Sequence, residues 1–459
     1  MAMTMFRPRG LLLVLSFACA GAFDDEVHHL PGYDKPLPSP IYAGYASTSA
    51  DSKDTKNQLF YFFTRAEDYS SSTPTLIWLN GGPGASSLIG MFVEHLGPFD
   101  ITASGAIQVN THRLTKKYNI LAIDNPVGAG FSYTDDGAYV KDETEMRQQF
   151  VQGLRNFYAK HPELMKHDLW VTGESYAGKY IPNIVHELDL AIAGDRTSGG
   201  QLAGLKLQGM AIGNPMLHSY LAYQTVGAYA YNAGVIDEST LAKVEAGQQD
   251  CLKHIDSGDR LAGDFCENVT VRYLYWETAK IPMYYDLGMT DLDLDGVSAA
   301  MGKYLGRDDV KAALHVTGHT WQNQDEEGPV ADALRADFTI PSLPILVAIV
   351  EKGYRVAIYN GVRDGSSCNH LGNTKAFMEA DKTWKFKGQF ASSKNVPMMF
   401  QRESGKPYVM AYHRVVENFS FTKMLHTGHL VPTVVPDEFA SYLAWVLASN
   451  ATLPASFTV

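Results

Sequence analysis

Apolar residues along this chain fall into short, nearly unbroken runs and into longer stretches of helical spacing, and the two alternate. Residues 59–64 (LFYFFT), 75–79 (TLIWL), 119–123 (NILAI), 169–171 (LWV), 207–212 (LQGMAI), 354–359 (YRVAIY) and 421–425 (FTKML) read as strands. They are rich in β-branched and aromatic residues with few polar interruptions, as strands covered on both faces are. Residues 91–99 read as a helix halted at Gly97-Pro98, and 141–160 as an amphipathic helix with Met146, Phe150, Leu154 and Phe157 on one face. Further helices are expected over 181–190, 343–352 and 436–447. Strand, helix and strand in succession imply parallel crossover units.

The pattern breaks in two places. Residues 23–54 are rich in Pro, Gly, Ser and Asp and read as an extended leader over the body. Residues 216–341 turn to helices, loops and many tyrosines, which reads as an insertion forming a cap. The expected organisation is therefore a leader peptide at 1–20, a first half of an α/β core at 21–215, the cap at 216–341 and the second half of the core at 342–459. Of the cap aromatics, Tyr273, Tyr275, Trp276, Tyr284 and Tyr285 are pocket candidates, although packing is the expectation for most of them.

Composition narrows the function classes. A chain of 459 residues, 45% hydrophobic and 19% charged, has material for a large core, and its net charge of −12 argues against a nucleic-acid partner. Arg7 and Arg9, an apolar run over 11–17 and Ala18-Cys19-Ala20 read as a cleavable secretory signal. No stretch is long enough to anchor the chain in a membrane. Without Cys19 the cysteines are Cys251, Cys266 and Cys368, of which the first two are the expected disulfide in an oxidising compartment. Sequons at Asn268, Asn418 and Asn450 agree with a secretory route, outside the cell or to a lysosome or vacuole.

The candidate chemistry centres on Thr172-Gly173-Glu174-Ser175-Tyr176-Ala177-Gly178, where a strand ends in a serine and a helix begins. Such an elbow crowds the serine's neighbours, and small residues at 173 and 177 relieve the crowding. Serine needs a base to take its proton and an acid to orient the base. His429 and Asp364, each just after an expected strand, supply these, with His370 and His426 as weaker candidates for the base. The order Ser, Asp, His and the glycine-rich loop Asn80-Gly81-Gly82-Pro83-Gly84, with Gly82 as oxyanion donor, match an α/β-hydrolase.

WLNGGPG at 78–84, IDNPVGAGFSY at 123–133, TGESYAGKY at 172–180 and GHLVP at 428–432 resemble the serine carboxypeptidase family, most of all its vitellogenic-like members. The resemblance covers about residues 42–447. It implies release of C-terminal residues from peptides or proteins, with no metal or organic cofactor. It further implies that Asn80, Glu94 and Glu174 bind the substrate carboxylate, that Gly82 and Tyr176 donate to the oxyanion, and that Trp78 and Leu430 belong to the substrate pocket. Two nearby carboxyls share a proton, which predicts an acidic pH optimum.

Several positions depart from the family pattern. Leu96 is an extra residue that can rotate Glu94 away from the site, and another extra residue before Cys368 can distort the loop carrying Asp364. Val362 stands where a common variant has aspartate, and Ala85 where a disulfide cysteine is common. Two other readings follow: an acyltransferase or esterase on the same scaffold, and a catalytically silent binding homologue. A homodimer is compatible with all three.

Overall fold

The protein is described by a computed structural model covering residues 24–281, 284–289, 294–323, 327–402, 405–448 and 457–458. The expected leader peptide and the Asn450 sequon lie outside the described residues. One sheet of 13 strands carries the fold. Its principal strands are β1 (Glu26–Val27), β2 (Ile41–Ser47), β3 (Asn57–Thr64), β4 (Thr75–Leu79), β5 (Asn119–Ile123) and β6 (Asp168–Glu174). They continue with β7 (Lys206–Gly213), β8 (Arg355–Gly361), β9 (Val396–Phe400), β10 (Tyr408–Val416) and β11 (Phe419–Met424). In space the order is β1-β2-β3-β5-β4-β6-β7-β8-β11-β10-β9, and the neighbours from β5 through β11 in that order are parallel.

Every residue of β4 and β5 is buried, because both faces of the sheet are covered. Ile77 and Leu79 enter one core cluster, with Phe150 and Leu154 of helix Glu143–Lys160 and Ile181 and Ile184 of helix Ala177–Ser198. Leu76 and Trp78 point to the opposite cluster, with Met91 of helix Leu88–Phe92 and Tyr442 of helix Pro436–Leu447. That alternation is the period of two expected of a strand.

Three local expectations fail for identifiable reasons. The leader is partly strand: Ile41–Ser47 pairs antiparallel with β3, from Ile41 opposite Thr64 to Ser47 opposite Gln58. Its small residues conceal it from a search for bulky apolar runs. The helix expected over 91–99 is Leu88–Phe92 and stops well before Gly97. Conversely, the helix expected at 181–190 runs from Ala177 to Ser198 through Pro182. Proline has no N–H for the Gly178 carbonyl, and Ser342 Oγ donates to that oxygen at 2.8 Å instead.

Between β7 and β8 the described residues form helices and turns. The Cys251–Cys266 disulfide joins helix Glu238–Asp256 to helix Ala262–Glu267, while Cys368 is buried and takes no part in that bridge. The end of this segment is tied to the serine-bearing helix by a buried lysine. Lys179 Nζ lies 2.9 Å from Asp337 Oδ2, donates to Ile340 O at 2.7 Å and also donates to Asp337 O. A bridge between Gly130 and Gln322 makes a second attachment.

Buried carboxyls recur throughout. Burial pushes Asp124 up to about 6 and Glu267 up to about 7. It pushes Glu143 up to about 8, a rise that Lys179 opposes. His161, hydrogen-bonded to Asp25 at 2.8 Å, is raised although burial alone would lower it. Each of these groups binds its proton more tightly folded than unfolded, so folding stability falls as pH rises between the unfolded and folded values. Glu143→Gln removes the largest of these rises, so the thermal midpoint at about pH 8 relative to that at about pH 5 is expected to be higher in this variant than in the unsubstituted chain, by about a few degrees. Scanning calorimetry giving the same difference in midpoint for both chains contradicts this.

Candidate active site

The site sits at the carboxyl edge of the parallel strands. Ser175 follows β6 directly and holds a left-handed backbone, φ 61°. Its N–H donates to Gly213 O at 2.9 Å and its carbonyl accepts from Met216 N at 3.0 Å, so two neighbouring chain segments fix the turn. The loop after β4 presses on it from the other side. A Cβ at Gly81 would stand 2.4 Å from Tyr176 N and 2.8 Å from Ser175 Cβ, an approach only glycine permits. Gly82 takes φ 100° and, like Ser175, lines both of the cavities at this edge.

Asp364 and His429 meet below. His429 Nδ1 and Asp364 Oδ2 are 2.7 Å apart, with Asp364 fully buried and His429 nearly so. An Nδ1–H donated to a carboxylate leaves Nε2 as the basic nitrogen. Asn214 Nδ2 also donates to Asp364 Oδ2, at 2.7 Å, and Ser366 N donates to Oδ1 at 2.9 Å. The extra residue before Cys368 therefore leaves the aspartate held on both oxygens. His429 is set in turn by its backbone N–H, which donates to Tyr285 O at 2.7 Å, and by the Tyr285 ring 4.8 Å away. His429 and Ser175 line the same two cavities. His370 is half-buried, and loss of solvent lowers its pKa to about 4, while His426 is exposed against Tyr408.

Beside the serine, Asn80 bridges two buried carboxyls. Asn80 Nδ2 donates to Glu94 Oε1 at 2.6 Å and to Glu174 Oε1 at 3.2 Å. Its own oxygen accepts from Trp78 Nε1 at 2.8 Å and from Gly90 N at 3.1 Å, which fixes the amide's orientation. Burial pushes the Glu94 carboxyl up to about 7, against opposing hydrogen bonds with Asn80 and Glu174. The extra Leu96 does not rotate Glu94 away. His95 takes a left-handed φ of 60°, Leu96 folds into the apolar cluster, and Glu94 stays on Asn80. One left-handed residue absorbs the insertion.

Two cavities flank Ser175. One, of 420 Å³, has Asn80 and Glu174 in its wall together with Ile89, Val93, Met301 and Leu430. The other, of 460 Å³, is walled by Tyr176, Tyr284, Phe338, Glu267, Arg272 and Asn268 among others. Leu430 thus faces a cavity as expected, whereas Trp78 lines neither; its indole holds Asn80 from beneath. Of the cap aromatics, Tyr284 and Tyr285 reach the cavities, Tyr275 is core, and Trp276 is exposed. The sequon at Asn418 is otherwise engaged: its Nδ2 donates to Val350 O at 2.8 Å and to Tyr354 O at 2.5 Å.

Asn214 escaped the sequence reading, although it follows a strand with φ 39°, where asparagine is favoured; Gly81, read as part of the glycine-rich loop, and Tyr285, read as a pocket candidate, position Ser175 and His429. Asp124 is a fourth contributor at one remove. It accepts from Ser86 Oγ at 2.7 Å and from Ser87 N at 2.8 Å, and Ser87 Oγ accepts from Asn80 N at 3.2 Å.

A serine on a strand-to-helix elbow, with Asp and His following in that order from later strands of one parallel sheet, places the chain among the α/β-hydrolases. Within that class, residues 31–449 match the family model for serine carboxypeptidase. The chain belongs to the serine carboxypeptidase family and is a serine-type carboxypeptidase. It is 30% identical to serine carboxypeptidase S10 family member 1 of Dictyostelium discoideum, over 83% of this chain and 88% of that one. The venom serine carboxypeptidase of Apis mellifera is 30% identical over 86% and 81% of the two chains. The pheromone-processing carboxypeptidase KEX1 of Coccidioides posadasii is 31% identical over 92% of this chain and 66% of its own length. In fold, the prohormone-processing carboxypeptidase Kex1Δp of Saccharomyces cerevisiae superposes with a TM-score of 0.77 at 22% identity, over 92% and 95% of the two chains.

The close approach at Gly81 carries a direct prediction. Gly81→Ala is expected to fold but to lower kcat/KM for a blocked dipeptide by about 100-fold or more, because its methyl displaces Tyr176 N and Ser175 from alignment. Steady-state kinetics with circular dichroism as the folding control measure this, and a change of less than about threefold rules it out.

Proposed function

We propose that this chain releases C-terminal amino acids from peptides at acidic pH through an acyl-enzyme, and that its product is an apolar residue. The observation that carries this reading is the Asn80 amide bridging the buried Glu94 and Glu174 carboxyls directly beside Ser175. A carboxyl pair sharing a proton can donate a hydrogen bond to a third carboxylate; fully ionised, it repels one. It is suited to grip a peptide's terminus.

In the proposed reaction Ser175 Oγ attacks the last peptide carbonyl and His429 Nε2 takes its proton, while Asp364 stabilises the imidazolium. The amides of Gly82 and Tyr176 receive the developing oxyanion. As the C–N bond breaks, His429 returns the proton to the departing amine. Water, deprotonated by His429, then cleaves the ester and regenerates the serine hydroxyl. The leaving residue occupies the 420 Å³ cavity, whose Ile89, Val93, Met301 and Leu430 suit an aliphatic or aromatic side chain.

The expected partners are peptide or protein C-termini, met within the secretory pathway. The disulfide, and the likeness of residues 1–20 to a secretory signal, support that route. Among the described residues no helix is long and apolar enough to cross a membrane.

With the Glu94 carboxyl at about 7, binding should weaken as pH rises through that value. The kcat/KM of a blocked dipeptide is expected to be flat below about pH 6 and to fall with rising pH above about 7, with the loss carried by KM. Glu174→Gln should abolish that dependence, and Ser175→Ala should abolish turnover. An unchanged pH profile in Glu174→Gln sinks the carboxylate-binding role. For the pocket, Leu430→Glu is expected to raise the ratio of C-terminal Arg to C-terminal Leu release by about tenfold. Competition between the two dipeptides reads that ratio, and no change overturns the assignment of the cavity.

A further inference from the structure

The 460 Å³ cavity on the far side of Ser175 from the carboxylate site must receive the part of the peptide that stays attached as the acyl group. Asn268 is one of its lining residues and is at the same time solvent-exposed, so it stands where the cavity meets bulk water. It is also the first residue of Asn268-Val269-Thr270, an acceptor tripeptide for N-glycosylation.

The two acceptor asparagines among the described residues differ in one physical respect. Asn418 spends both amide hydrogens on backbone carbonyls, and the residues that follow it, Phe419 and Ser420, are buried in β11. A sugar on that nitrogen would break both bonds and meet the core. Asn268 opens a π-helical turn, Asn268–Thr278, with its side chain outward. Its position is also rigid. Cys266, two residues earlier, is locked to Cys251, and the buried Thr270 Oγ1 donates to Cys266 O at 2.6 Å. The backbone from which a glycan would grow is therefore fixed beside the cavity. On the same cavity wall Arg335 is ion-paired to Asp264.

We propose that Asn268 carries an N-linked glycan whose first sugars stand over the mouth of the acyl-side cavity and restrict the enzyme to short or slender peptide tails. The catalytic groups are untouched by it; what it changes is the bulk admitted upstream of the scissile bond. This extends the carboxypeptidase reading, which supplies the substrate.

The test uses the full chain secreted from a eukaryotic host. Glycopeptide mass spectrometry reads occupancy of Asn268 directly, independent of any activity. Native treatment with an N-glycanase, and separately Asn268→Gln, are then compared with the untreated protein on two substrates: a blocked dipeptide and a peptide of about 20 residues with bulky side chains upstream of the last bond. The ratio of kcat/KM for the long substrate over the short one is expected to rise by about threefold or more on removing the glycan. Thr270→Ser, which keeps the acceptor tripeptide, should keep the original ratio. An unmodified Asn268 in the secreted protein overturns the proposal, and so does an occupied site whose removal leaves the ratio unchanged. Failure of the peptidase reading is recognised separately, as absence of dipeptide release in both forms. In that case the gate is read from labelling of Ser175 by small and bulky fluorophosphonates, where equal relative rates with and without the glycan reject it.

Discussion

The approach of the loop after β4 to the serine elbow is the constraint on which the rest depends. Gly81 lies so close to Tyr176 N and Ser175 Cβ that a single methyl cannot fit between them. That contact brings the glycine-rich loop directly against the turn that carries Ser175. It holds because both loops are anchored behind: Ser175 to Gly213 and Met216, Asn80 to Ser87, and Ser87 in turn to Asp124. Backbone and small polar groups do this work, since larger side chains would separate the loops.

Buried carboxyls are the second organising feature. Glu94, Asp124, Glu143 and Glu267 all lie where burial favours their neutral forms. One is at the candidate carboxylate site, one braces its loop, one faces the lysine that ties the insertion to the serine helix, and one lines the acyl-side cavity. A buried carboxyl costs less in its neutral form, so each of these groups resists loss of its proton. Their contribution to stability and the proposed substrate grip thus weaken together as pH rises.

Much of this was legible along the chain. The strands of the parallel sheet were readable because burial on both faces demands unbroken apolar runs, and the elbow was readable because crowding demands small residues around Ser175. The order of Ser175, Asp364 and His429 followed from where those strands end. The antiparallel β2, β9 and β10 were not readable, since IYAGYAS and YVMAYHRVV mix small, polar and aromatic residues in pairings that only neighbouring strands make sensible.

By itself, then, the sequence determined the layered α/β architecture and the chemistry on offer at the strand ends, because periodicity and turn stereochemistry are local properties. Tertiary structure alone decided which side chains share a proton, a hydrogen bond or a cavity wall. Leu96 looked disruptive in sequence, yet one left-handed residue, His95, absorbs it and leaves Glu94 on Asn80. Trp78 looked like pocket and is a brace; Asn214 drew no notice in the sequence and holds Asp364. Those outcomes depend on which way a side chain is packed, on a meeting of residues 150 positions apart as for Asn214 and Asp364, or on a single backbone angle, and none of these is written in the spacing of residue types.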